Sequence, residues 1–262
     1  MGLKESIRKV IGESLVIRIR GFRERFDRSV QDELARRFAF YSAFIRKGDL
    51  CFDVGANVGN RISPLLKAGA RVVAVEPQEA CIRALRIKFG SRITIVEKGL
   101  DETEGVKSFH ISDATTISSF SEEWISAVKD KRFNGHNWDK VQRVEMTTLD
   151  NLIAQYGLPA FIKIDVEGFE TSVLKGLSRP VSMISFEYTV PEQTAQAAAC
   201  ISLIERNAAT IECNYSIGES MEFAGPWRPA AEMKQFIQSP EFIRTGFGDV
   251  YVRLLESHKV QH

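Results

Sequence analysis

The sequence predicts an α/β fold, an open and mostly parallel sheet covered by helices on both faces. Short apolar runs alternate with amphipathic helical patterns from about residue 49 to residue 255. A glycine-containing turn, "DVGANVGN" (53–60), follows the first run. Acids end several of the later runs, and ligands of open sheets bind outside the carboxyl ends of strands.

Ahead of this alternation, residues 3–47 set Leu3, Ile7, Val10 and Ile11, then Val30, Leu34, Phe38, Tyr41 and Ile45, at helical spacing. They predict two helices broken near Gly21, the second closing at Gly48 after Arg46 and Lys47. "DLCFDV" (49–54) is the first strand, with a helix after its turn to about Lys67. "RVVAVE" (71–76), the helix "QEACIRALRIKF" (78–89) and "RITIVE" (92–97) follow. Residues 105–118 are mixed and extended, and 120–140 read as an irregular insertion with one short helix. "VQRVEMTTL" (141–149) passes from strand into a helix at 149–156. "FIKIDV" (161–166) is the next main strand, and "EGFETSVLKGL" (167–177) a helix. "SMISFEY" (182–188), a helix at 191–206, a short strand at 210–215 and "GDVYVRLL" (248–255) complete the pattern. The expected organisation is a basic helical arm, 1–48, and one larger domain, 49–262.

Composition narrows the function. The chain has 262 residues, 44% hydrophobic and 26% charged, as a soluble globular protein has. The net charge of +1 gives the whole molecule no electrostatic case for nucleic acid. Residues 1–49 hold 12 Lys or Arg against 7 Asp or Glu, which leaves the remainder at −4. The arm is either a solvated helical face or a contact for an acidic membrane surface or polyanionic glycan. "MGLKES" matches a myristoylation pattern, a short match that carries little weight. No apolar run is long enough to span a membrane, and no secretory signal is expected, since a long apolar h-region and an A-x-A-like site are missing from the first residues. Cys51, Cys81, Cys200 and Cys213 form no C-x-x-C and read as reduced thiols of a cytoplasmic protein. Oligomeric state is not legible.

The strand ends carry the chemistry. Gly55 can take φ values closed to other residues, and Gly59 permits close packing of the following helix. Their G-x-x-x-G spacing is not the G-x-G-x-x-G of dinucleotide folds, since Asn57 stands where pyrophosphate needs a glycine. Asp53 would repel a phosphate and suits a cationic amine or sulfonium. Glu76, twenty-one residues after Gly55, suits the hydroxyls of a ribose. A nucleoside with an amino-acid end fits all four residues, which points to S-adenosylmethionine.

"FDVGANVGN", "AVEPQEACIRAL", "TLDNLI" and "FIKIDVEGFETSVLKGL" together resemble the FkbM-type methyltransferases over residues 49–255. The resemblance implies a class I methyltransferase, a Rossmann-like seven-stranded sheet whose last strand runs antiparallel. It implies S-adenosylmethionine as cofactor and a hydroxyl of a sugar, glycan or natural product as acceptor. Asp53, Gly55, Asn57 and Gly59 match the first cofactor motif, Glu76 the ribose acid, and Asp165 the acid near the methyl donor. Asp101 and Ser119 stand where further cofactor loops belong. Asn60 and Arg61 depart from the family, many of whose members carry an aromatic residue after the second glycine.

Methylating a hydroxyl requires alignment of oxygen, methyl and sulfur, and removal of a proton. Asp165, Glu167 and Glu187 are the candidate bases. The competing roles are a donor contact for Asp165 and a helix-dipole acid for Glu167. No metal is expected, because no H-x-x-H or E-x-x-H lies near. A Mg²⁺-like ion on the three acids is the runner-up use. His110 and His136 are alternative bases or structural histidines. Phe133, Trp138 and Trp227 would either stack on a sugar within a cleft roofed by 105–140 and 216–240, or fill core. Two rival functions stay open: a cofactor-binding scaffold without catalysis, and a dinucleotide-dependent oxidoreductase, which the glycine spacing disfavours.

Overall fold

A computed structural model of the chain describes residues 28–208 and 210–255. The first predicted helix and the "MGLKES" pattern lie outside the described residues. The elements run α1 (Arg28–Ser42), β1 (Leu50–Val54), α2 (Ile62–Lys67), β2 (Arg71–Val75), α3 (Glu79–Phe89) and β3 (Thr94–Val96). Then come β4 (Gly99–Leu100), β5 (Gly105–Ile111), α4 (Glu122–Val128), β6 (Lys140–Thr147) and α5 (Leu149–Tyr156). The second half holds β7 (Phe161–Ile164), α6 (Glu170–Lys175), β8 (Met183–Thr189), α7 (Thr194–Glu205) and β9 (Ile211–Ile217). Last are β10 (Arg228–Pro229), α8 (Ala230–Phe236), α9 (Pro240–Ile243) and β11 (Phe247–Leu254).

The main sheet has the order β10-β9-β11-β8-β7-β1-β2-β3. β1, β2, β3, β7 and β8 are mutually parallel, and β11 runs antiparallel between β8 and β9. Seven of these strands give the expected sheet with its antiparallel last strand, and the two-residue β10 extends one edge. The chain winds from β1 outward to β3 and returns to pair β7 on the other side of β1, which places the switch point between β1 and β7.

Strand alternation divides the core in two. Leu50, Phe52 and Val54 of β1, Ile162 and Ile164 of β7, and Ile184 and Phe186 of β8 join one cluster with α5, α6, α7, α8 and α9. Cys51, Phe161, Met183 and Tyr251 face the other way, into a cluster with α1, α2 and α3. Phe40 and Tyr41 of α1 and Ile45 just beyond it are buried there, with Tyr41 and Phe161 rings 5.8 Å apart. The described part of the basic arm is thus packed onto the sheet.

β4, β6 and β5 form a second, three-stranded sheet. β5 and β6 pair antiparallel, and most of their residues are exposed or half-buried. Strands so polar on one face do not suit the middle of a sheet covered on both sides. Among the described residues no helix is long and apolar enough to cross a membrane.

Candidate active site

Toward the carboxyl ends of the strands, the face under α1 and α2 changes from apolar to polar. Asp53 on β1 is in register with Lys163 on β7, Lys163 with Ser185 on β8, and Ser185 with Tyr251 on β11. One step further along the same face come Asp165, just past β7, and Glu187, which pairs with Asp249 of β11. Each apolar strand therefore hands its final same-face positions to charge.

The turn after β1 is built against this layer. Gly55 has φ +76°, and a Cβ placed on it would lie 1.8 Å from the carbonyl oxygen of Asp165. The missing side chain at Gly55 thus makes room for a neighbouring backbone. Gly55 and Ala56 donate to the carbonyl of Val75 at 3.0 and 3.1 Å. Asn57 donates its amide to Glu76 Oε2 at 2.7 Å, and Gln78 donates to Oε1 at 2.8 Å. Glu76 so ties the turn to the end of β2, with lone pairs left on both oxygens.

Of the ten residues the sequence singled out, Asp53, Gly55, Asn57, Glu76, Asp165, Glu167 and Glu187 line one cavity. Gly59, Asp101 and Ser119 do not. A Cβ on Gly59 would sit 2.3 Å from Phe89 Cε2, so Gly59 seats its turn against α3 rather than the following helix on the sheet. Asp101 is buried and takes Lys107 Nζ at 2.6 Å. Ser119 Oγ donates to the carbonyl of Glu167 at 2.6 Å, and its neighbour Ser118 takes the place on the cavity wall.

The roof differs from expectation too. Phe109, Phe120 and Phe169 line the cavity, whereas Phe133, Trp138 and Trp227 do not. Phe133 and Trp138 pack around Trp124, and Trp227 packs beside Phe223 under the guanidinium of Arg253. His110 lies 3.3 Å from Glu122 and His136 3.0 Å from Asp113, away from the acids of the cavity. The 105–140 stretch does contribute its wall, but from 216–240 only Glu219 reaches it. Glu219 receives Arg61 at 2.8 Å and Arg37 of α1 at 3.2 Å. Neither Arg61 nor Glu219 stood out in the sequence as a site residue. Only Arg61's departure from the family pattern hinted at it.

Charge in this cavity is tightly constrained. Asp53 is 1% exposed, and neither of its carboxylate oxygens has a hydrogen-bond partner in the protein. Burial raises its pKa, with Lys163 and Arg61 pulling the other way. Burial lifts Glu76 to about 7 despite its two backbone donors. At Asp165 burial is outweighed by Lys163, whose Nζ lies 2.5 Å from Oδ2, and the carboxyl stays below its usual range. Glu167 and Glu187 are pushed well above theirs by burial and then by the charge on Asp165.

The profile of the FkbM methyltransferase domain matches residues 53–224 of this chain. The chain belongs to the FkbM methyltransferase family. Residues 53–224 thus form a methyltransferase domain, one whose methyl donor is S-adenosylmethionine. A stretch of 71 residues is 41% identical to ribosomal RNA small subunit methyltransferase A of Anaeromyxobacter sp. (strain K). That stretch is 27% of this chain and 23% of the relative, and the same enzyme of Anaeromyxobacter dehalogenans matches equally. Solved structures similar over most of the chain include an O-methyltransferase from Bacillus cereus in complex with SAH, at 12% identity and TM-score 0.41. It is covered for 91% of its length by 94% of this chain. A TehB-like SAM-dependent methyltransferase from Corynebacterium glutamicum stands at 12% identity and TM-score 0.43, with 84% of this chain and 88% of the other covered.

The FkbM cavity fits the donor. A buried carboxylate without a partner, Asp53, favours a ligand with positive charge, and Glu76 keeps acceptor capacity for hydroxyls.

Proposed function

We propose that this FkbM protein methylates a hydroxyl oxygen on a sugar, glycan or other polyhydroxylated acceptor. The observation that carries the reading is the meeting of Asp165, Glu167 and Glu187, whose oxygens come within 4.8 Å of one another beside the glycine turn. A hydroxyl is a weak nucleophile, and a carboxylate within reach of its proton typically adds about 10²–10⁴-fold. When bound, the donor supplies a methyl group on a cationic sulfur. Glu76 receives the ribose hydroxyls on its free lone pairs, and Asp53 faces positive charge. Gly55 and Asn57 shape the turn between them, while Gly59 holds that turn from behind. Asp165, pinned by Lys163, orients the acceptor end. Glu187, within reach of both other acids, takes the proton.

A second reading has one observation in its favour: the curated relatives are named for ribosomal RNA. The acids lining this cavity oppose it, because they repel a phosphate backbone. A non-catalytic scaffold is a third reading, which turnover alone separates from the first. The cytoplasm is our reading of where the protein works, from its four buried, free cysteines.

The test is transfer of labelled methyl from S-adenosylmethionine to a panel of monosaccharides, lipid-linked glycans and small-subunit ribosomal RNA. Label on a carbohydrate hydroxyl is the expected result. Label on RNA alone would replace the first reading by the second, and donor binding without any transfer would leave the scaffold. Glu187→Gln should slow transfer by about 10²-fold or more with donor affinity kept. Glu76→Ala should weaken donor binding at least tenfold by calorimetry, and an unchanged Kd removes Glu76 from the ribose role.

A further inference from the structure

A second cavity lies against α4 and the loop that joins it to β6. Its volume is about 440 Å³, and it shares no lining residue with the donor cavity. Pockets for small ligands run to roughly 300–1,000 Å³. Strand alternation sets the two cavities back to back: Phe109 of β5 lines the donor cavity, and His110, the next residue, lines the second.

One wall of the second cavity is apolar and fixed. The half-buried Trp138 indole donates from Nε1 to the carbonyl of Ile117 at 2.7 Å, and its ring meets Trp124 edge-on at 6.5 Å. Ile125 adds to this wall, and Val141, 58% exposed, stands opposite His110 on β6. The remaining lining is polar. Asn134, Asn137, Asp130 and Asp139 are exposed, and no side chain among the described residues bonds theirs.

This mixture excludes several occupants. No three of the cavity's His, Asp and Glu side chains come within metal-binding reach of one another. An anion would meet Glu122, Asp130 and Asp139 against a single lysine, Lys129. A wholly apolar ligand would strip water from the amides and carboxylates without replacing it. A pyranose suits both walls. Its hydroxyls donate to carboxylates and accept from side-chain amides and Lys129, and its C–H face lies on a rigid indole.

We propose that this second cavity binds a neutral sugar unit, a hexose or N-acetylhexosamine, apart from the site of methyl transfer. Trp138 would then stack on a sugar after all, though outside the donor cavity. That this sugar belongs to the methyl acceptor rests on the proposed function, while the binding of sugar does not. A glycan held here raises the local concentration of its other units at the donor cavity.

The test is saturation-transfer NMR and calorimetry on the full chain, with short neutral oligosaccharides of glucose, galactose, mannose and N-acetylglucosamine at millimolar concentration. At least one should bind saturably, with Asn134→Ala and Asp139→Ala each weakening it at least fivefold and surface Glu104→Gln leaving it unchanged. Two variants are used so that a folding defect in either one, visible by circular dichroism, leaves the other decisive. No saturable sugar, a Kd indifferent to both variants, or binding of a lysine tripeptide in place of sugar overturns the proposal. Labelled methyl transfer separates this site from the acceptor reading. Methylated carbohydrate with no sugar bound here sinks the second site alone. Sugar bound here without any methylated carbohydrate sinks the acceptor reading and keeps the site.

Discussion

Lys163 is a charged side chain in a strand whose four residues are all buried. It is tolerable there because Asp165 stands two positions on, on the same face, and closes a pair at 2.5 Å. Removing one partner of such a pair costs about 3–5 kcal/mol, since the other is left buried and charged. The shared face was legible in "FIKIDV", because residues i and i+2 of a strand lie on one side, though the ion pair itself was not read from it. Arg61 was not legible in the same way. Its partners Met221 and Asp249 lie 160 and 188 positions away, and no local pattern announces them. Gly55 falls between the two cases. The sequence marked it as a turn residue, but the need for glycine also comes from the Asp165 carbonyl beside it. Gly55→Ala would put a Cβ into that carbonyl at a φ of +76°, so both the turn and the Asp165 backbone must move. We expect loss of more than ~1 kcal/mol of stability and at least tenfold weaker donor binding. Urea unfolding and calorimetry measure these, and a variant matching the parent in both would show that the turn yields freely.

The turn between β7 and α6 is the element on which the acids depend. The sequence predicts a helix from Glu167, whereas α6 begins at Glu170. Glu167 has φ +51° and Gly168 φ +88°, a left-handed pair that cannot belong to an α-helix. Glu170 Oε1 accepts the amides of Val166 and Gly168 at 3.1 and 3.2 Å, and Ser119 Oγ holds the Glu167 carbonyl from the other side. These partners are what present the Glu167 side chain to the cavity, and Ser119 reaches them from 48 positions away. The sequence marked Ser119 as a residue of interest but could not distinguish a ligand contact from a clamp on the turn. Strand existence was far more legible, because buried parallel strands leave continuous apolar runs. The partners of β5 and β6 were not, since half-polar strands fit more than one neighbour. Ser119→Ala removes the hydroxyl from the Glu167 carbonyl and should cost about 1–3 kcal/mol. Methyl transfer should fall several-fold while donor Kd stays within twofold. An equal change in both would mean that Ser119 serves the donor loop directly.

Net charge conceals the character of the molecule. The chain carries +1 in total, yet it gathers six carboxylates around one cavity. Composition cannot reveal such segregation, because it depends on which strand ends the fold brings together. The clearest consequence is a pH dependence of stability in the ligand-free protein. Burial lifts both Glu76 and Glu170 to about 7 from the ordinary 4.5, and it pushes Glu167 and Glu187 upward as well. Between those values the folded chain retains protons that the unfolded chain has released. Stability must then fall as pH rises through the window from 4.5 to about 7. Asp165 acts with the opposite sign, but its carboxyl is held below its usual range, so its contribution changes at more acid pH. Protein without donor should therefore unfold at a higher urea midpoint at pH 5 than at pH 7.5. Saturating S-adenosylmethionine should flatten that slope by supplying positive charge in place of protons. A ligand-free midpoint that rises from pH 5 to pH 7.5 would mean that these carboxylates ionise without penalty. The case for a cavity suited to a ligand with positive charge would then fail with it.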